Sequence, residues 1–179
     1  MQLLEDRCYM ELALSEAARA LKEGEFPVGC VIIFNGDVVA SGSRKGTASH
    51  GKRPGEIDHA EIRALRALEK VTTHHKGIDI VPEECLLYCT MEPCLMCFGA
   101  IILSGIKRVV YAFEDPMGGG TSCDIERLPT LYRNSGITVV PHVLRAESLK
   151  LFARFFSRED NQYWRNSSLE QYTLEQANQ

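Results

Sequence analysis

The chain has 179 residues, 45% of them apolar and 25% charged, with a formal net charge of −4. That length fits one domain with a substantial core. No apolar run approaches the roughly 18 residues of a membrane span, and the acidic balance lacks the basic excess of a dedicated nucleic-acid binder. Residues 1–10 contain Glu5 and Asp6 and predict no signal peptide.

In chain order, Met10, Leu14, Ala17, Ala18 and Leu21 recur at helical spacing, which predicts an amphipathic helix over the first 23 residues. Residues 28–34 and 37–41 flank Asn35-Gly36, a strong hairpin signal. Residues 44–58 are polar, with Gly and Pro, and predict a loop. Residues 59–70 predict a helix with Ile62, Leu65 and Leu68 inward. Residues 86–90 predict a strand. Residues 95–103 are apolar nearly all round and predict a buried helix. A strand over 106–113, a mobile turn at Gly118-Gly119-Gly120, a strand over 137–143 and a helix over 144–156 follow. Beyond Ser157 the composition turns polar around Trp164 and two tyrosines; that tail either docks as a last helix or frays. Strands alternating with helices predict an α/β fold, and the opening hairpin makes its sheet mixed.

The chemistry-bearing residues are His59-Ala60-Glu61 and Pro93-Cys94-Leu95-Met96-Cys97. The pairing H-x-E with P-C-x-x-C is a known signature of zinc nucleobase deaminases. Cys94 and Cys97 are three apart, so on a helix both sulfurs point the same way. Pro93 suits a helix start, and the positive end of the helix favours thiolates, the ligand form. With His59, three protein ligands leave one tetrahedral position open, as in a catalytic zinc site. Glu61 is then the proton shuttle. Residues i and i+2 do not share a face along a helix body, so His59 and Glu61 converge only if their helix starts at the pocket.

Other readings of the same residues stand beside this one. A C-x-x-C pair also serves redox centres and structural zinc, but redox use explains neither His59 nor Glu61. A structural site wants a fourth ligand. Cys85 and Cys89, on one face of a predicted strand, read instead as small core residues. His50, in the loop before the motif, and His74, His75 and His142 read as surface groups or neighbours of the pocket. Seven cysteines, an odd number with two at ligand spacing, fit a reduced, cytoplasmic chain.

Phe26-Pro27-Val28-Gly29, the hairpin after it, the segment 59–65 and the segment 90–100 together resemble the cytidine deaminase superfamily. Within it the chain is most similar to bacterial tRNA adenosine deaminases and the related guanine and cytosine deaminases. The likeness runs in order to about residue 156. It implies a three-layer α-β-α sandwich around a five-stranded mixed sheet, over a zinc-dependent deaminase domain at 1–160 with residues 161–179 as a tail or short helix. It also implies a homodimer and hydrolytic removal of an exocyclic amine from a small-molecule base or nucleoside. By position, His59, Cys94 and Cys97 match the zinc ligands and Glu61 the shuttle. The main chain at Ala60, Glu92 and Pro93 matches the groups that hold the base edge, and Phe26, Val28 and Asp115 match the pocket.

Three departures bear on the substrate. The family's Gly-x-Asn after the second strand reads Gly42-Ser43-Arg44, which leaves Ser43 or Arg44 to make that contact. The loop between Gly42 and His59 is long, and its Arg44, Lys45, Lys52 and Arg53 make it basic. Where tRNA enzymes carry Arg before the Asp that follows the fourth strand, this chain has Glu114-Asp115, and where they carry a basic run after a Phe-Phe pair it has Phe155-Phe156-Ser157-Arg158-Glu159-Asp160. Carboxylates there oppose phosphate binding, which puts tRNA second to a free base or nucleoside. A zinc-bearing subunit without chemistry of its own is a third reading, and Glu61 argues against it.

Overall fold

The computed structural model describes residues 2–48, 55–74 and 79–179. Helix α1 spans Gln2–Lys22 and leads into a hairpin of β1 (Gly29–Phe34) and β2 (Asp37–Ser43). Asn35 and Gly36 both have positive φ, 51° and 89°, as a two-residue turn matched to strand twist requires. After α2 (Ala60–His74) come β3 (Leu86–Met91), α3 (Leu95–Leu103) and β4 (Arg108–Phe113). A one-turn α4 (Thr130–Arg133), β5 (Thr138–Val140), α5 (Arg145–Phe156) and α6 (Ser168–Ala177) complete the chain.

The five strands form one sheet in the order β2-β1-β3-β4-β5. β1 runs antiparallel to β2 and β3, whereas β3-β4 and β4-β5 are parallel. The sheet is mixed, as the hairpin dictates. Alternation along the strands sends side chains to two cores. Val31, Ile33, Tyr88, Val110 and Ala112 meet Met10 and Ala13 of α1. Cys30, Ile32, Leu87, Cys89, Val109 and Tyr111 lie in the core that receives Ala64, Leu65 and Leu68 of α2 and Ile101 of α3. This is the three-layer α-β-α arrangement.

Four expectations need correction. The second helix runs to His74, past residue 70. The last strand stops at Val140 because His142 and Leu144 adopt left-handed φ values, 66° and 54°, which extended chain does not tolerate. Helix α3 is not buried all round, since Leu95 is 64% and Leu103 61% exposed. The Gly118–Gly120 turn is packed rather than loose. Gly119 N–H donates to the Asp115 carbonyl (3.0 Å), and Gly120 N–H to that of Pro93 (2.9 Å). A β-carbon on Gly120 would lie 2.6 Å from the Leu95 nitrogen.

The polar tail docks through α6. Leu169 is buried in the larger core. The Glu114 carboxylate accepts from the Arg145 guanidinium (2.8 Å to Nε) and the Tyr172 hydroxyl (2.6 Å), tying β4, α5 and α6 together.

Candidate active site

The carbonyl of His59 accepts the N–H of Arg63 at 3.0 Å. His59 is therefore the cap of α2, and Glu61 lies in its first turn. The helix starts at the pocket, the one arrangement that lets residues i and i+2 converge. Gly42 sets that start, because β2 passes so close to α2 that a β-carbon there would strike the Ala60 carbonyl and come within 2.7 Å of the Ala64 nitrogen. At the second helix, the Cys94 carbonyl accepts from Phe98 N–H (2.8 Å), so Cys94 caps α3 and Cys97 sits one turn in. Pro93 precedes the cap.

His59 Nδ1 lies 3.6 Å from Cys94 Sγ and 3.4 Å from Cys97 Sγ. The three donor atoms fall within 4.8 Å of one another. The Cys97 S–H bond to the Cys94 sulfur, helped by His59 and opposed by burial, brings the Cys94 thiol down to about 4. The proton shared by the two sulfurs keeps Cys97 high. Burial works against a charged His59, but its contact with Cys94 and the charge of Glu61 outweigh it and raise its pKa. Burial raises the carboxyl of Glu61 above its ordinary range. Glu61 Oε2 is buried with no hydrogen-bond partner among the described residues.

That donor set fits zinc. One imidazole nitrogen and two sulfurs within reach of one centre are borderline and soft ligands, three in number. The orphaned Glu61 oxygen shares the pocket with His59 and Cys94 without being one of the clustered donors. Cys85 and Cys89 lie buried in the core, and Cys89 donates to the Val110 carbonyl. Neither joins the cluster, so a closed four-ligand site is not built from them.

His59, Glu61 and Cys94 open onto a cavity of about 280 Å³. Of the positions expected from sequence, Phe26, Val28, Arg44, Ala60, Glu92 and Asp115 line it. Ser43 does not; it is buried, with Arg19 donating to its hydroxyl at 3.4 Å. Pro93 is also off the wall, its carbonyl engaged by Gly120. Glu92 borders the cavity, but its carboxylate accepts from Thr121 (2.5 Å) and from Asp115 N–H (3.1 Å), which makes it a brace. Asp115 Oδ1 accepts from the N–H groups of Met117 and Gly118, and burial raises its pKa. His142 is exposed beside Glu114 (3.3 Å). His50, Lys52, Arg53 and His75 lie outside the described residues.

Sequence reasoning missed Glu56, Met91, Met117, Gly118, Tyr163, Trp164 and Leu169, which also line the cavity. For Tyr163 and Trp164 the available signal was a cluster of aromatics in an otherwise polar tail.

With this geometry in place, a family model for the cytidine and deoxycytidylate deaminase zinc-binding region matches residues 4–113. The chain belongs to this deaminase family. It is 33% identical over 158 residues to the tRNA-specific adenosine deaminase of Bacillus subtilis, covering 86% of this chain and 90% of that one. Its fold superposes with TM-score 0.64 and 31% identity on a structure from work on A-to-I editing by tRNA:A34 deaminases, over 79% of this chain and 96% of the other. A variant protein solved with 8-azaguanine superposes with TM-score 0.61 and 28% identity, over 84% of each chain. The deaminase reaction is hydrolytic and zinc-dependent and removes an exocyclic amine from a nucleobase.

Proposed function

We propose that this deaminase acts on a free amino-bearing base or its nucleoside. The observation that carries this reading is the cover over the cavity. Tyr163, Trp164 and Leu169 come from the C-terminal stretch, beyond the matched family region, and wall a space sized for one small ligand. A base extruded from RNA must bring its flanking backbone to the mouth, and Tyr163, Trp164 and Leu169 take up wall space in the same cavity.

His59, Cys94 and Cys97 would hold the zinc, which when bound supplies the Lewis acidity that makes water nucleophilic near neutral pH. Glu61 moves the proton. Its Oε2 takes the proton from the attacking water and passes it to a ring nitrogen. It then takes the second proton, from the hydroxyl now on the ring carbon, and delivers it to the amine as the C–N bond breaks and ammonia leaves. Burial of Glu61 suits this, because a carboxyl with a raised pKa gives up and regains a proton within a narrow range. Phe26, Val28, Met91 and Leu169 exclude bulk water, and the aromatic faces of Tyr163 and Trp164 suit a planar ring.

The second reading is a tRNA wobble adenosine deaminase, favoured by the names of the curated relatives. Part of the electrostatic case against it is weaker than sequence suggested, since Glu114 is spent on Arg145 and Asp160 on Arg158. Ammonia release measured on free bases, nucleosides and an adenine-bearing anticodon stem-loop separates the two. Turnover of the stem-loop alone overturns the first reading.

We also propose a cytoplasmic homodimer. All seven cysteines are free, and among the described residues no helix is long and apolar enough to cross a membrane. Leu95 and Leu103 are exposed on one face of α3, with open space above Gly99 between them. A patch of that kind marks an interface. Light scattering at micromolar concentration tests it, and a monomer contradicts it.

A further inference from the structure

The side chain of Arg44 is only 2% exposed, yet it lines the cavity. Its Nη1 donates to the Lys45 carbonyl (3.1 Å) and its Nη2 to the Tyr163 hydroxyl (3.3 Å). The nearest carboxylate is Glu56, 3.6 Å away and 57% exposed. Two of the five N–H donors of a guanidinium are thus used, and Glu56 stands near Nη2. The Nε–H and one Nη1–H have no partner among the described residues. A buried cation with unused donors is costly unless a further acceptor reaches it.

Tyr163 fixes this group. Its hydroxyl accepts from Arg44 and donates to Glu56 Oε2 (3.3 Å). Its own main chain is clamped on both sides by Asn161, through Tyr163 N–H to Oδ1 (3.0 Å) and Nδ2 to the Tyr163 carbonyl (3.2 Å). Its ring packs on Phe26 at 5.4 Å between centroids.

We infer that Arg44, positioned by Tyr163, reads a carbonyl oxygen on the substrate ring, so that the base deaminated is an oxo-bearing one of the guanine or cytosine type rather than adenine. This rests on the free-base reading above. A carbonyl oxygen is the strong neutral acceptor a nucleobase offers, and a guanidinium matches the O6/N7 pair of guanine. A phosphate fits the wall poorly, because among the described residues four carboxyl-bearing side chains, Glu56, Glu61, Glu92 and Asp115, also line it. Asp115 complements Arg44 by accepting from ring N–H or amine groups.

The test compares guanine with 2-aminopurine, and cytosine with 4-aminopyrimidine, pairs that differ by the ring oxygen and the hydrogens it dictates. Turnover is read by ammonia release and binding by fluorescence of Trp164, the chain's single tryptophan and part of the wall. Native protein should favour the oxo member by about tenfold or more, the worth of one good hydrogen bond. Tyr163→Phe and Arg44→Gln should erase that preference, chiefly by raising KM for the oxo member, so that the two members of each pair are handled alike. Arg44→Lys should recover part of it. Equal losses on both members, or no preference in the native protein, overturn the inference and leave the free-base reading intact. Binding of an adenine stem-loop in preference to every free base, or of no probe at all, overturns both.

Discussion

Gly42 and the Ala60 carbonyl are in contact with no room for a side chain between them. The end of β2 thereby sets where α2 begins, and so where His59 and Glu61 point. Gly42→Ala must push the helix start away. Overpacking of this kind costs about 1–3 kcal/mol. Denaturant unfolding should show that loss, and activity should fall further than stability alone explains. An unchanged midpoint with full activity contradicts this account of the helix start.

Purified protein should contain zinc near one equivalent per chain. Cys94→Ala should lose most of it, because Cys94 contributes one of three donors. Elemental analysis checks both. Full retention of zinc by Cys94→Ala removes Cys94 from the ligand set.

Glu61→Gln keeps the shape of the side chain and loses the proton carrier. Turnover should drop by about 10²–10⁴-fold with zinc content and unfolding midpoint preserved. Near-native turnover refutes the shuttle role.

Burial opposes ionisation of Glu114, but Arg145 and Tyr172 outweigh it and bring the carboxyl down to about 2. A depressed folded-state pKa stabilises the fold above the ordinary carboxyl range, and that stabilisation disappears as pH falls towards 2. Glu114→Gln should therefore cost about 1–2 kcal/mol at neutral pH, with the gap to native protein closing across roughly pH 4.5 to 2. Unfolding followed at several pH values checks the sign. A gap that widens on acidification refutes it.

Local signals in the sequence carried far. Asn35-Gly36 defined the hairpin because a left-handed pair is a local property. The His59–Glu61 and Cys94–Cys97 motifs were legible because each starts a helix within three residues. Contacts between distant segments were not. Arg44 meets Tyr163 across 119 positions, and no spacing rule spans that distance. Glu114 read as a charge turned on phosphates because Arg145, 31 residues on, leaves no trace in the local pattern. The apolar run of α3 looked wholly buried because composition records hydrophobicity and not which neighbours cover each face.

His59 and Cys94 are 35 positions apart, and they begin two different helices on one side of the sheet. An ion held between them closes that stretch of chain into a ring, much as a covalent cross-link would. The cation is then a fastener as well as a reagent. Chelation should loosen α2 from α3 and lower the melting temperature in step with the loss of turnover, and the tightness of the fold should depend on the supply of free zinc around it.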